Sequence, residues 1–192
     1  MANANAPSGF NPVRYVSGQP YSGSVNLYSV PSGDATALMI GDPVKLVGTS
    51  QVIGESTYTD IARAATGDVI LGAVVSVLPV TRSSTVYREA STQRIIAVAD
   101  DPNILFEIQD LSTGTPLAAA DIGLNVDFVV AAGSTITGKS GVTLNNATEA
   151  TTNTLDCKLI GFVNRPDNEV GASGKWLVRL NRHQYANQVA GV

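Results

Sequence analysis

The chain has 192 residues, of which only 15% are charged, and a net charge of −4, against roughly 25% charged in an ordinary soluble domain. The few basic residues are scattered, the densest group being Arg179, Arg182 and His183, so the basic stripe of a nucleic-acid binder is missing. One cysteine, Cys157, excludes an intramolecular disulfide, and one histidine excludes a His₂ or His₃ metal site. The longest apolar run, "VILGAVVSVLPV" at 69–80, is too short to cross a bilayer and is broken by Gly72, Ser76 and Pro79. The opening "MANANAPSGF" lacks the basic start and apolar core of a secretory leader, so cytoplasmic synthesis is expected.

Residues 1–34 differ from the rest. Pro7, Pro12, Pro20 and Pro31 alternate with Gly9, Gly18, Gly23 and Gly33, which argues against a helix or a central strand. Phe10, Tyr15, Tyr21 and Tyr28 are spaced along the same stretch with Val13, Val16, Val25, Leu27 and Val30 between them, too many aromatic and aliphatic groups for a disordered tail. The pattern predicts an extended arm. It lies along another subunit or packs on its own domain, and the sequence leaves both open.

From about residue 35 onward the chain reads as short strands. "ALMIG" leads into the turn "GDP", and "VKLVG" follows. "DVILGAVVSVLPV", "TQRIIAVA", "ILFEIQD", "LNVDFVVAA", "TLDCKLIGFVN" and "KWLVRLNRH" continue the series, separated by turn residues every eight to twelve positions. In the last strand Trp176, Val178 and Leu180 share one face, predicted to be the core face. Helical periodicity is confined to 60–66 and 116–121. Cys157, inside an apolar strand, is expected to be a buried and inert thiol.

Residues 133–140, "GSTITGKS", fit the phosphate-binding pattern G-x-x-x-x-G-K-[ST]. A strand precedes it, but "GVTLNNATEATTNT" after it has no helical repeat and poor helix propensity. Without a helix N-terminus the loop has nothing to hold phosphate with. The segment is expected to be a hairpin tip, with Gly133 and Gly138 or Gly141 at positive φ. His183 is expected at the surface just past the last strand. Asp100, Asp101, Asp121 and Asp127 sit beside turns, where carboxylates usually cap backbone N–H groups; a weak calcium site is the rival reading for them. No catalytic, cofactor or metal residue is assigned.

The opening "MANANAPSGFNPVRYVSGQPYSGSVNLYSVP", with "IGDPVKL", "GDVILGAVV", "DDPNILFEIQD", "ADIGLNVDF" and "RPDNEVG…WLVRLNRHQY", resembles the capsid decoration (cement) proteins of tailed bacteriophages along nearly the whole chain. The resemblance implies a non-enzymatic virion protein on the outer surface of the phage head, present in the host cytoplasm during assembly. It implies binding to a major capsid protein of HK97-type fold and to itself, as a dimer slightly ahead of a trimer, with no direct contact to nucleic acid or membrane. The expected architecture is all-β, a jelly-roll-like sandwich or barrel over 35–185 with few short helices, an arm over 1–34 and a tail over 186–192. Phe10, Arg14, Tyr15, Tyr21 and Tyr28 are the expected capsid- or subunit-binding residues of the arm. A minor capsid or tail component, and a β-barrel carbohydrate-binding module or enzyme, are the rival readings.

Overall fold

A computed structural model describes residues 3–186. Twelve strands follow in chain order: β1 (Asn11–Tyr15), β2 (Asn26–Val30), β3 (Pro43–Ile53), β4 (Ser56–Arg63), β5 (Gly72–Val77), β6 (Arg94–Ala99), β7 (Ile104–Gln109), β8 (Asn125–Val126), β9 (Phe128–Val129), β10 (Thr143–Leu144), β11 (Cys157–Phe162) and β12 (Lys175–Leu180). Strands β2-β4-β3-β5-β6 close into a barrel, and β1-β7-β12-β11-β8 form an open sheet flanked by the β9–β10 ribbon. The all-β, sandwich- and barrel-like class expected from the turn spacing is what the structure has.

The barrel is filled by Tyr28, Val30, Leu38, Val44, Ile61, Leu71, Val74, Val77, Ile96 and Val98. The open sheet has a larger core. Trp176, Val178 and Leu180 of β12 face inward as their alternation predicts, beside Ile104, Phe106 and Ile108 of β7. The register pairs Trp176 with Ile108 and Val178 with Phe106. Phe162 meets Trp176 edge to face, 5.0 Å between ring centres. The two cores are joined through Ala64, Ala73 and Ala99, which belong to the larger one although β5 and β6 wall the barrel. Small side chains at that seam let the layers approach closely. At Gly72 an added Cβ would lie 2.1 Å from the carbonyl oxygen of Ala99.

Several expectations are corrected. Of the two readings left open for the extended arm over residues 1–34, the structure shows the segment packing on its own domain, and it supplies strands that the prolines were expected to forbid. β1 pairs with β7, and β2 sits in the barrel between β6 and β4. The prolines punctuate these strands without forbidding them. Pro12 lies in a strand at the edge of the sheet beside a register irregularity, and Pro31 follows the last residue of β2. Even residues 3–6 are stitched down: Asn3 Nδ2 donates to the Glu169 carbonyl (2.7 Å), and the Ala6 N–H donates to Gln109 Oε1 (2.9 Å). Residues 60–63, expected as part of a helix, complete β4 because Leu46, Lys45 and Val44 supply partners for Ile61, Ala62 and Arg63. The second expected helix, 116–121, is reduced to a 3-10 turn over Ala119–Asp121. In "GSTITGKS" only Gly138 takes positive φ (69°); Gly133 and Gly141 are needed for close approach, a Cβ meeting Lys139 O at 2.5 Å and Ala132 O at 2.2 Å. A turn closes there, with the Ser134 N–H on the Lys139 carbonyl (2.8 Å), and no helix follows. Most of the expected tail, 187–192, lies outside the described residues.

Trp176→Ala should cost about 3–5 kcal/mol through the cavity it leaves in the sheet core, measured by urea unfolding. Lys139→Ala should stay within about 0.5 kcal/mol, the usual range for a surface substitution, and should reveal no nucleotide affinity lost by calorimetry.

Candidate functional site

The segment 13–27 stands out once the fold is known. Its only charged residue is Arg14, and it leaves Val13, Val16, Val25 and Leu27 exposed. Tyr15 and Tyr21 are half-buried against the sheet core. Exposed apolar groups concentrated in one segment mark a contact surface more often than scattered ones do.

The segment is held at both ends. On the N-terminal side Phe10 is 1% exposed and lies edge to face against Phe106 (5.9 Å) and Phe128 (5.7 Å). On the C-terminal side the Tyr28 side chain is buried, and its hydroxyl donates to Asp100 Oδ2 and lies 3.0 Å from the Tyr185 hydroxyl. Asn26 Nδ2 donates to the same carboxylate at 3.1 and 3.0 Å. Burial, with the hydrogen bond to Asp100, drives the Tyr28 phenol well above its usual range, in the direction that favours its role as donor to that carboxylate.

Between the pins the backbone is folded on itself. The Tyr15 N–H donates to the Gln19 carbonyl (2.8 Å), the Gly18 N–H to the Tyr15 carbonyl (2.9 Å), and the Tyr21 N–H to the Val13 carbonyl (3.0 Å). Gly18 closes the tight turn with φ 90°. The Tyr15 and Tyr21 rings sit 6.2 Å apart. The Val16 N–H donates to the Asn103 carbonyl (2.8 Å), which fixes the loop to the turn after β6, and Arg179 Nε of β12 donates to the Pro102 carbonyl (2.9 Å), which holds that turn to the sheet. A groove of about 550 Å³ runs between them, lined by Tyr15, Ser17, Gln19, Ser22, Ser24 and Asp101 among others.

The five expected arm residues therefore divide. Phe10 and Tyr28 are core anchors that no partner reaches in the folded chain, which corrects their reading as docking groups. Arg14, Tyr15 and Tyr21 stay on the loop, Arg14 exposed and the tyrosines half-buried. The four aliphatic residues that complete the surface were visible in the sequence as spacers, but alternation could not tell which side faced out.

His183 is also corrected: it is 1% exposed. After β12 the chain turns back along the barrel end, pairing His183 with Ile70, and the imidazole Nδ1 accepts the Tyr185 N–H (3.1 Å). Burial lowers its pKa to about 4, against the pull of Asp100 and Asp101. Asp101 and Asp121 cap the N–H groups of Asn103 (2.7 Å) and Ala118 (2.7 Å), as turn carboxylates do. Cys157 is fully buried, and its thiol is pushed up by that burial. Among the described residues no cluster of three or more His, Cys, Asp or Glu is placed to hold a metal ion, and no helix is long and apolar enough to cross a membrane. No protein-family profile, curated protein or solved structure matches the chain.

Two further buried carboxylates bear on stability. Burial pushes both Asp110 and Asp156 up to about 6. Their folded values lie above the unfolded 3.8, so their contribution is fully present below pH 3.8 and is lost as pH rises through about 6. His183 is opposite in sign: its contribution is present above pH 6.5 and is lost as pH falls through about 4. Between pH 7 and 5 each aspartate adds about 1 kcal/mol while the histidine removes about 2. Wild-type stability should therefore be nearly flat over that interval. His183→Gln should become more stable by about 2–3 kcal/mol on going from pH 7 to pH 5, read by urea midpoints in matched buffers. A variant that keeps the wild-type profile would show that His183 titrates normally.

Proposed function

We propose that this protein is a structural virion component that binds the outer surface of an icosahedral tailed-phage capsid and stabilises it by bridging major capsid protein subunits. The observation that carries this reading is the pinned 13–27 loop, an apolar, almost uncharged surface held rigid by Phe10 at one end and Tyr28 at the other. Rigidity matters because a preformed loop spends little ordering entropy on binding. The opening stretch that resembles the start of decoration proteins, the first 31 residues, contains this loop. The low charge and the hydroxyl-rich β surface support a protein that packs against others rather than one that steers ions or polyanions. The partner is a coat subunit of HK97-type fold, with self-association as a dimer ahead of a trimer, and the place of action is the outside of the head.

A second reading, glycan binding, is favoured by one observation, the groove lined by Tyr15, hydroxyls and amides beside the same loop. Glycan arrays address it directly. A capsid role requires a copy number in purified particles close to that of the coat protein; a minor tail or head part would be far scarcer.

The loop is tested by a double substitution at exposed sites, Val16→Asp with Leu27→Asp. Stability should change by no more than about 1 kcal/mol for the pair. Co-sedimentation with capsids lacking the protein should weaken roughly 30-fold or more, as expected when charge enters the centre of an apolar contact. Unchanged binding would move the docking surface elsewhere.

A further inference from the structure

Residues 182–186 return along the end of the barrel after β12. The Ile70 N–H donates to the Arg182 carbonyl and the Gln184 N–H to the Ile70 carbonyl, both at 2.8 Å. The Ala186 N–H closes a turn on the His183 carbonyl (3.0 Å). Between the two bonds to Ile70 sits His183, the one histidine of the chain, with its side chain buried. Nδ1 accepts the Tyr185 N–H, so the neutral ring carries its proton on Nε2. Nε2 is itself buried and has no acceptor. The segment ends against the 13–27 loop, because the Tyr185 hydroxyl lies 3.0 Å from the Tyr28 hydroxyl.

This geometry suits only the neutral ring. A second proton can enter only at Nδ1, where the lone pair is already taken by the Tyr185 N–H. The imidazolium therefore sets one N–H against another and still leaves the Nε2–H without an acceptor. Among the described residues no carboxylate forms an ion pair with the ring. Asp100 and Asp101, in the turn after β6, favour the charged ring, and Arg179 of β12 opposes it. Both carboxylates are already engaged, Asp100 by Tyr28 and Asn26 and Asp101 by the Asn103 N–H. On the segment leading to Ile70, Asp68 is paired with Lys45; beside His183, Arg182 donates to the Gly67 carbonyl. Burial outweighs these charges and holds the ring at about 4.

We infer that residues 182–186 form an acid-released latch: protonation of His183 at Nδ1 expels the Tyr185 N–H, breaks both main-chain bonds to Ile70 and withdraws the Tyr185 hydroxyl from Tyr28, while both cores stay folded. The segment can leave alone because the Ile70–His183 pairing is an isolated bridge outside the strand ladders. Tyr185 is already half exposed. The sign follows from linkage. The ring is depressed from 6.5 to about 4 in the closed latch, so the closed form has its full advantage above pH 6.5 and loses it as pH falls through about 4. The opening equilibrium should rise roughly 20-fold between pH 7 and pH 5. The latch stands independently of what the 13–27 loop binds.

The test follows amide hydrogen exchange by NMR in the full chain at pH 7, 6 and 5, corrected for the intrinsic rate at each pH. The Ile70, Gln184 and Tyr185 amides should lose protection roughly 20-fold between pH 7 and pH 5, while Val98 in the barrel and Val178 in the open sheet should change by less than about twofold. The Tyr28 ring signals should move in step with the lone histidine ring, and should stop doing so in Tyr185→Phe. His183→Asn places an amide oxygen near the position of Nδ1 and does not titrate, so it should abolish the pH dependence at the three latch amides. Should that variant fail to fold, the wild-type exchange data decide alone. Constant protection at the three amides, a fall shared by Val98 and Val178, or a pH dependence that survives His183→Asn would overturn the inference. A histidine ring that titrates near 6.5 with no loss of protection would overturn it too, since the closed latch would then hold the charge.

Discussion

The structure depends on one crossing of backbone, where Gly9 passes Gly41. The Phe10 N–H donates to the Gly41 carbonyl at 2.9 Å, while the Gly41 N–H reaches the Val74 carbonyl at 2.8 Å. One residue earlier, Ile40 accepts from Ser140 N–H and donates to the Gly138 carbonyl, both at 2.8 Å. Asp42 closes the corner by accepting the Met39 N–H at 2.8 Å. Three distant pieces of chain, near residues 9, 41 and 139, thus meet through main-chain bonds. The contact leaves no room for a side chain: a Cβ on Gly9 would lie 2.2 Å from Gly41 O, and one on Gly41 would lie 2.1 Å from Ser8 O. Both residues also have positive φ, 66° and 93°. Only glycine satisfies the space and the conformation together.

That crossing explains why the N-terminal segment is part of the fold. Once Gly9 is held against Gly41, Phe10 is delivered between Phe106 and Phe128, and β1 continues along β7. The chain must then travel from the open sheet to the barrel, where β2 joins β6. The 13–27 loop is this traverse. Its ends are fixed by core contacts, so the residues between the two strands can leave Val16 and Val25 exposed, and Val13 of β1 and Leu27 of β2 continue that face, without costing the fold its stability. The apolar surface is possible because the anchors lie outside it.

Much of this was legible in the sequence, and the exceptions have physical reasons. Strict alternation in "KWLVRLNRH" fixes the inward face of β12, because a one-residue slip would expose Trp176. The strand series and the absent helix after "GSTITGKS" follow from local composition. The N-terminal strands were hidden because prolines are read as breakers, yet Pro12 lies on a sheet edge and Pro31 just outside β2, where neither removes a needed donor. The segment 60–66 reads as helix, with alanine at 62, 64 and 65, but the strand state of 60–63 is imposed by partners in β3, a long-range choice that overrides propensity. His183 looks like a surface residue since it follows the last strand; its burial depends on the chain doubling back to Ile70.

The barrel sets the geometry of the traverse. Strand β6 pairs with β2 on one side and β5 on the other, and its last residue, Ala99, precedes Asp100, whose carboxylate accepts from Tyr28 and Asn26 at the C-terminal pin. Every strand of the closed barrel is paired on both sides, so this pin cannot shift without breaking main-chain bonds. At the other pin Phe10 is wedged between two rings of the sheet core. The segment between is therefore shaped by the two cores it joins, and its own short, proline- and glycine-punctuated sequence has only to span the distance.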